Sequence, residues 1–392
     1  MKNFMFFFAL LAAGRLSAQW NVVYHDSDKT YADADFPGND DIYVIGSRIS
    51  GNSFVLHSTD GGLNWTEQPM PFPNLSKICM RNTQEGYIAI AGTAAQLLYT
   101  TNGFATYTSH TIELCYSVQG LRALTDSSGF FLLNGGRLRS FNNYGASQGI
   151  ITGNLTNASG MCFADTAVGY VGNGNQLVKT VNGGNTWGPF NNSSPFLSLI
   201  SFTARDTGYS SDIITQVSRT YDGGISFQQA LAFPAQYLAS FGSYVAAADA
   251  VSTVKWSPDY GQNWTSENTG TTELNGIFID SSAACYAFNN LAGDILKKQL
   301  TPEGIFSAGD HVRSITVFPN PVKEYLQISG SGLPTHAGAR LELYNTMGSL
   351  VRTEERPDCN RIAVGNLEEG VYFLRLCTDE GRQVQTRFVK CR

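Results

Sequence analysis

Three acidic residues spaced 37 and 45 residues apart, Asp212, Asp249 and Asp294, have the side chains that hydrolysis of a glycosidic bond would use. That reaction needs two carboxyl groups flanking the scissile bond. An acidic sugar would also need several arginines around its carboxylate, and residues 19–305 contain only seven. We therefore predict a non-catalytic binding protein, with a glycan-active hydrolase as the alternative.

Other catalytic patterns are missing from the sequence. It has no HExxH, P-loop or dinucleotide-binding fingerprint, and its histidines lack a metal-ligand spacing. The Asp residues between positions 26 and 41 lack the spacing of an EF-hand and suit a solvated segment better than a Ca²⁺ site. We expect neither a metal nor a cofactor.

A recurring turn explains more of the chain than these candidates do. Its clearest copy runs from Ser58 to Trp65, where an Asp side chain can accept backbone N–H groups and Gly supplies positive φ. The Asp or Asn recurs at steps of 42, 41, 39, 40 and 37 residues, at Asp60, Asn102, Asn143, Asn182, Asp222 and Asp259. A period of about 40 residues indicates stacked copies of one unit. Because Asn replaces Asp in half of them, we predict a structural turn rather than a set of metal ligands.

Each repeat contains four short segments with strand character, and the second often begins with Gly-Tyr, as in Gly86-Tyr87. Four antiparallel strands joined by Gly-rich turns make one blade of a β-propeller, which must stack on its neighbours. The seventh repeat lacks a clear outer strand, whereas Trp20–Tyr24 has the spacing of an outer strand without a blade. We predict seven blades over residues 19–305, closed by this N-terminal strand, with six blades as the alternative.

The turn pattern Ser/Thr-x-Asp-x-Gly-x-Thr/Asn-Trp resembles the Asp-box (BNR repeat) of sialidase-type propellers, and with the Gly-Tyr strands it looks like the photosystem II assembly-factor-like propellers. The resemblance implies a fold and leaves the function open. The third and seventh repeats of this chain depart from the turn pattern. Such propellers bind ligands in the central channel or at the end opposite the Asp-type turns. The candidate ligand contacts there are Arg48, Arg137, Asn175, Gln176, Asp212, Asp249 and Asp294.

A different unit follows a polar linker at residues 306–314. Alternating segments between 315 and 392 predict a small antiparallel β-sandwich. The same residues resemble the C-terminal sorting domain of the type IX secretion system. The residues that carry this resemblance include Pro319, Asn320, Pro321, Gly370, Tyr372 and Lys390. It implies the type IX machinery as a partner and a Bacteroidetes-type source; an ordinary ligand-binding sandwich is the alternative.

The N-terminus predicts export, and the net charge argues against one class of partner. Lys2, an apolar run and small residues before Gln19 predict a signal peptide over residues 1–18 rather than a membrane anchor. Residues 19–310 contain 13 Lys and Arg against 23 Asp and Glu, a net charge of −10. That charge argues against nucleic acid as a partner. We expect a secreted or surface-anchored protein without a transmembrane segment, whose external partner is a glycan or a protein.

Overall fold

The computed structural model describes residues 20–38, 40–93, 95–151, 155, 158–190, 197–300, 316–318, 322–329, 340–345, 350–355, 361–377 and 383–391. The chain divides into two compact units, residues 1–302 and 303–392. The predicted signal peptide (1–18) and linker (306–314) lie outside the described residues.

Seven four-stranded antiparallel sheets are present in the described part of the first unit. We number them along the chain and give each sheet's strands from first to fourth. Sheet 1 has β2 (Lys29–Asp35), β3 (Ile42–Arg48), β4 (Ser53–Ser58) and β5 (Thr66–Met70); sheet 2 has β6 (Leu75–Met80), β7 (Gly86–Ile90), β8 (Gln96–Thr100) and β9 (Thr108–Thr111); sheet 3 has β10 (Val118–Ala123), β11 (Gly129–Leu133), β12 (Arg137–Asn142) and β13 (Ser147–Ile150). Sheet 4 has β14 (Ala158–Phe163), β15 (Gly169–Asn173), β16 (Gln176–Thr180) and β17 (Gly188–Phe190); sheet 5 has β18 (Leu199–Phe202), β19 (Gly208–Ser211), β20 (Val217–Thr220) and β21 (Gln228–Leu231); sheet 6 has β22 (Tyr237–Phe241), β23 (Tyr244–Ala248), β24 (Thr253–Ser257) and β25 (Thr265–Asn268).

Sheet 7 takes its fourth strand from the other end of the chain. Its strands are β26 (Gly276–Ile279), β27 (Ala284–Asn289), β28 (Asp294–Gln299) and β1 (Asn21–His25). β1 pairs antiparallel with β28, with Asn21 opposite Lys297 and His25 opposite Asp294. The N-terminal strand therefore supplies the outer edge that the seventh repeat lacks in sequence.

Hydrophobic clusters hold neighbouring sheets together. Each consecutive pair of sheets shares one cluster of buried side chains. A further cluster joins sheet 7 to sheet 1 and includes Tyr286, Phe288 and Ile295 beside Tyr31 and Val44. Burial of one such large apolar side chain contributes about 1.5–3 kcal/mol, so stacking is a main source of stability here.

The second unit contains two sheets in its described part. One has β29 (Thr316–Phe318), β30 (Tyr325–Ser329) and β33 (Arg361–Ala363); the other has β32 (Leu350–Glu355), β31 (Arg340–Asn345), β34 (Gly370–Cys377) and β35 (Gln383–Lys390). One cluster takes Leu326 and Ile362 from the first sheet and Leu343, Leu374 and Phe388 from the second.

The prediction of an all-β chain is confirmed. Apart from a 3-10 turn at Asn143–Gly145, every regular element in the described residues is a strand. Within those residues we find no helix with the length and hydrophobicity to cross a bilayer.

Candidate functional site

The two ends of the sheets differ in the chemistry they present. The "turn end" carries the turns between first and second strands and between third and fourth strands. The "loop end" carries the loops between second and third strands and the connections from sheet to sheet. The Asp-type turns are third-to-fourth turns and lie at the turn end, whereas all seven predicted ligand contacts lie at the loop end.

A serine or threonine hydroxyl organises the Asp-type turn. Ser58 Oγ donates to Asp60 Oδ1 (2.9 Å) and accepts from the backbone N–H of Gly62 (2.8 Å). The Asp60 carboxylate in turn accepts from the backbone and side chain of Asn64 at 2.8 and 2.7 Å. Gly61 and Gly62 have φ of 69° and 92°, a region that favours glycine. The same hydroxyl-centred arrangement surrounds Asn102, Asn182, Asp222 and Asp259.

These hydrogen bonds keep the turn carboxylates ionised. The side-chain and backbone N–H groups of Asn64 lower the pKa of Asp60. Burial favours a higher pKa for Asp222, but the hydroxyl and N–H of Ser226 outweigh it and lower that pKa to about 2. The carboxylates are therefore satisfied within their own turns, and in the described residues no group of His, Cys, Asp or Glu is arranged to hold a metal.

The turn at Asn143 lacks the side-chain arrangement of the other Asp-type turns, in line with the departure expected for the third repeat. Phe141 occupies the position of the organising hydroxyl, so the side-chain arrangement cannot form. Instead Asn143 and Tyr144 themselves adopt positive φ (50° and 58°), and the Tyr144 N–H donates to Ser127 O. The corresponding turn of sheet 7, near residues 301–304, lies outside the described residues.

Tyrosines on the second strands connect one sheet to the next. The hydroxyl groups of Tyr43 and Tyr87 each donate to a carbonyl in the first turn of the following sheet, at Thr83 and Asp126, both at 2.8 Å. Tyr170 does the same to Arg205 O. The sequence marks these tyrosines as strand residues but did not predict their contacts to the next sheet, although Gly precedes both Tyr87 and Tyr170 and that recurrence was a visible signal.

Basic residues on the third strands make a second connection between sheets. Lys179, Arg219 and Lys297 donate to the carbonyl oxygens of Gly223, Tyr260 and Gly61, respectively, in the next sheet's Asp-type turn. Each acceptor is the third residue after the organising hydroxyl. The Asp-type turns are therefore also docking points between sheets.

At the loop end, two predicted site residues cap their own loops. Asp212 Oδ1 accepts the backbone N–H groups of Ile214, Thr215 and Gln216 at 2.7–3.0 Å. Asp249 Oδ1 likewise accepts three N–H groups, including that of Val251 (2.9 Å). Burial opposes ionisation of Asp212, but the Thr215 hydroxyl and these N–H groups lower its pKa to about 2.

The remaining charged candidates are also paired. Asp294 Oδ1 lies 2.6 Å from His25 Nδ1 across the β1–β28 pair. Arg48 binds both carboxylate oxygens of Glu67 at 2.7 and 2.8 Å. Arg137 pairs with Glu113 and donates to Leu114 O (3.1 Å).

Asn175 and Gln176 are exposed at the β15–β16 hairpin of sheet 4. Among the described residues, no hydrogen bond or ion pair joins Asp212, Asp249 and Asp294 to one another. The structure therefore does not bring the three carboxylates into one hydrogen-bonded cluster.

Four exposed aliphatic side chains at the tips of second-to-third loops were not predicted. They lie at the loop tips of consecutive sheets 5, 6, 7 and 1, and their exposed fractions are 75%, 57%, 69% and 71% for Ile214, Val251, Leu291 and Ile49. The first three follow a capping Asp or Asn by two residues, because Asn289 accepts from the Leu291 N–H (3.1 Å) as Asp212 and Asp249 do in their loops. In sheet 1, Asp28 O accepts from the Ile49 N–H at 2.8 Å.

In the second unit, Tyr372 stacks on Phe388 (5.6 Å between ring centroids) and donates to Glu368 O at 3.0 Å. Gly370 pairs with Lys390 at one end of the β34–β35 ladder. Lys390 is buried, donates to Cys391 O (2.6 Å) and borders an open depression of about 680 Å³. Pro319, Asn320 and Pro321 lie outside the described residues.

Cys391 is a free thiol, as are Cys79, Cys115, Cys162 and Cys285.

The two sheets of the second unit and their buried core lie in a segment that matches a known protein family. Residues 316–390 match a secretion system C-terminal sorting domain. The predicted resemblance of this unit is confirmed, and the sorting domain indicates export by the type IX secretion system to the cell surface or the extracellular space.

Solved structures similar to this chain are β-propellers. YCF48 bound to D1 peptide has a TM-score of 0.56 and 15% identity, covering 73% of this chain and 100% of that one. YCF48 from Cyanidioschyzon merolae has a TM-score of 0.55 and 17% identity, covering 74% of this chain and 100% of that one. U3-55K has a TM-score of 0.57 and 10% identity, covering 72% of this chain and 100% of that one. At these identities the likeness shows the fold, and it agrees with the predicted resemblance to photosystem II assembly-factor propellers. No curated protein matches the sequence.

Proposed function

We propose that this chain is an exported, non-catalytic binding protein, in which a closed seven-bladed propeller presents a peptide-binding surface at its loop end. The seven sheets would be the blades, and β1 would close the ring. Residues 1–18 would be the signal peptide, and the two sheets of residues 315–392 a sandwich that serves export from a Bacteroidetes-type bacterium.

The observation that carries the binding proposal is the row of aliphatic loop tips on consecutive sheets. These four exposed side chains share one end of four consecutive sheets, and apolar side chains gathered on one surface are typical of interaction sites. Ile214, Val251 and Leu291 are held outward by Asx-capped turns, so little conformational entropy would be lost when a partner covers them. One of the similar solved structures, YCF48, has been determined with a bound peptide.

The chemistry of the partner follows from the surface. Aliphatic tips favour a segment with aliphatic side chains of its own. The capping carboxylates of Asp212 and Asp249 lie beside those tips, and residues 19–310 have a net charge of −10. We therefore expect an extended protein segment that alternates apolar and basic residues.

The hydrolase alternative is less well supported by the same loops. A glycosidase needs one carboxyl group that remains protonated near neutral pH. Asp212, with a pKa lowered to about 2, would be a poor general acid. Its carboxylate is also occupied by the N–H groups of its own turn.

Selection from a random peptide display library on the full chain tests the proposal. We expect enrichment of basic, aliphatic peptides whose affinity falls at least tenfold in the triple variant Ile214→Ser, Val251→Ser, Leu291→Ser. A matched turn-end variant, Leu63→Ser with Val181→Ser and Ile225→Ser, should bind as the wild type does. Equal binding by both variants, or the absence of enriched peptides, would contradict a peptide site at the loop end.

A further inference from the structure

One second-strand tyrosine lacks the contact to the next sheet that Tyr43, Tyr87 and Tyr170 make. Tyr209 of sheet 5 corresponds to Tyr43, Tyr87 and Tyr170, and it is fully buried. Among the described residues, however, its hydroxyl group has no hydrogen-bond partner. A buried, unpaired hydroxyl is unfavourable, so its retention needs a reason.

The cause is a shortened turn in the next sheet. In sheets 2 to 5 the first turn has five residues, as between Phe202 and Gly208 of sheet 5. In sheet 6 only Gly242 and Ser243 separate β22 from β23. A two-residue hairpin does not extend a carbonyl group to Tyr209, and it is three residues shorter than the first turns of sheets 2 to 5.

Aromatic and basic side chains lie at this joint between sheets 5 and 6. Arg219 lies over the ring of Tyr221 (5.1 Å) and donates to Tyr260 O (3.3 Å), which also accepts from the Tyr221 hydroxyl (3.2 Å). Within the described part of the chain, Arg219 Nε is a second buried donor without an acceptor. Residues Tyr221 and Tyr260 are 48% and 41% exposed. A Cβ on Gly261, next to Tyr260, would lie 3.4 Å from the Tyr209 ring, so Tyr209 belongs to the same cluster.

We propose that this cluster at the turn end of sheets 5 and 6, formed by Tyr209, Arg219, Tyr221 and Tyr260, is a binding site for a neutral saccharide. A pyranose ring has an apolar C–H face that packs on exposed aromatic rings, here those of Tyr221 and Tyr260, and displacement of these two side chains would let its hydroxyl groups accept from the buried donors Tyr209 Oη and Arg219 Nε. A few polar groups set among aromatic side chains are typical of small-ligand sites.

Charge selects the class of saccharide. The carboxylates of Asp222 and Asp259 organise the two turns that bear Tyr221 and Tyr260. Hydrogen bonds within the turns keep them ionised, and they would repel an anionic sugar. The site is therefore expected to prefer uncharged sugars, and it lies at the opposite end of the sheets from the proposed peptide surface.

The experiment uses the full chain on an array of neutral oligosaccharides, including glucans, mannans and chitin oligomers, followed by calorimetric titration of the best binder. We expect Tyr221→Ala and Tyr260→Gly to weaken binding at least tenfold. Glycine suits the positive φ of residue 260 (59°), so that variant should fold. The control is Val181→Ala, because Val181 occupies in the Asp-type turn of sheet 4 the position that Tyr221 occupies in sheet 5. This variant should bind as the wild type does.

Tyr209→Phe separates a binding role from a structural one. Removing an unpaired hydroxyl group should leave the thermal midpoint unchanged or raise it, while saccharide affinity falls. If the array shows no neutral saccharide, if binding survives the tyrosine substitutions, or if only proline-rich peptides bind the cluster, the saccharide site is wrong. None of these outcomes depends on the loop-end tips.

Discussion

The ammonium group of Lys297 donates a hydrogen bond of 2.7 Å to the carbonyl oxygen of Gly61, which lies 236 residues earlier in the chain. The same contact, third strand to the next Asp-type turn, connects Lys179 to Gly223 (3.4 Å) and Arg219 to Tyr260 (3.3 Å). The contact between sheets 7 and 1 is therefore the same as those between sheets 4 and 5 and between sheets 5 and 6.

If that joint closes a ring, Lys297→Met should destabilise the protein. Loss of a charge-assisted hydrogen bond costs about 2 kcal/mol, and for a unit of this size the thermal midpoint should fall by several degrees. Calorimetry of Lys297→Met beside Lys179→Met provides the comparison. We expect both variants to lower the thermal midpoint by similar amounts. A lower midpoint for Lys179→Met alone would mean that the contact between sheets 7 and 1 does not stabilise the protein.

The organising hydroxyl of the Asp-type turn should matter more than its exposed neighbours. Ser58→Ala leaves the buried N–H of Gly62 without its acceptor and removes a donor from Asp60, so we expect a loss of about 2 kcal/mol. Thr59→Ala, at the adjacent exposed position, should stay within about 0.5 kcal/mol of the wild type. Urea denaturation measures both, and equal effects would argue against the hydroxyl-centred turn.

Asp222 should make stability depend on pH in the acidic range. Its pKa in the folded protein is about 2, below the ordinary value of 3.8. Over that interval the unfolded state binds more protons, so the stabilisation is present above about pH 4 and is lost as the pH falls toward 2. The advantage of the wild type over Asp222→Asn should shrink across this range in thermal melts, since Asn already serves at positions 102 and 182. A difference that stays constant with pH would contradict the assigned shift.

Export should require the second unit. We expect deletion of residues 318–392 to leave the first unit in the periplasm, and fusion of residues 315–392 to a periplasmic reporter to carry that reporter outside. Cell fractionation with protease accessibility distinguishes the compartments. Normal surface display of the truncated chain would refute the sorting role.

Local patterns predicted the four-strand order of each repeat and the pairing of β1 with sheet 7, because turn chemistry and strand spacing are encoded within one repeat. The Asp-type turns at Asp60 and Asp222 are local in the same sense. The turn at Asn143 departed from them because Phe141 lacks the hydroxyl, a difference visible in the sequence.

Contacts between repeats were harder to predict. The hydroxyl group of Tyr43 finds its acceptor about 40 residues away, at Thr83, and no local pattern specifies that partner. The exposure of Ile214 likewise depends on which residues of the loop the Asp212 cap turns outward. Asp212 and Asp249 were candidate catalytic residues because the sequence shows that they carry carboxyl groups. It does not show that backbone N–H groups of their own loops already donate hydrogen bonds to those carboxyl groups.

Closure of the ring by the N-terminal strand is tested most directly by the double variant His25→Cys, Asp294→Cys. These residues are paired across β1 and β28, and their side chains meet at 2.6 Å, although 269 positions separate them in the chain. Mild oxidation should give an intramolecular disulfide, seen by mass spectrometry of linked peptides, and a higher thermal midpoint, since a long loop is closed in the unfolded state. Unreacted thiols, or disulfides only between molecules, would show that β1 does not complete sheet 7 of its own chain.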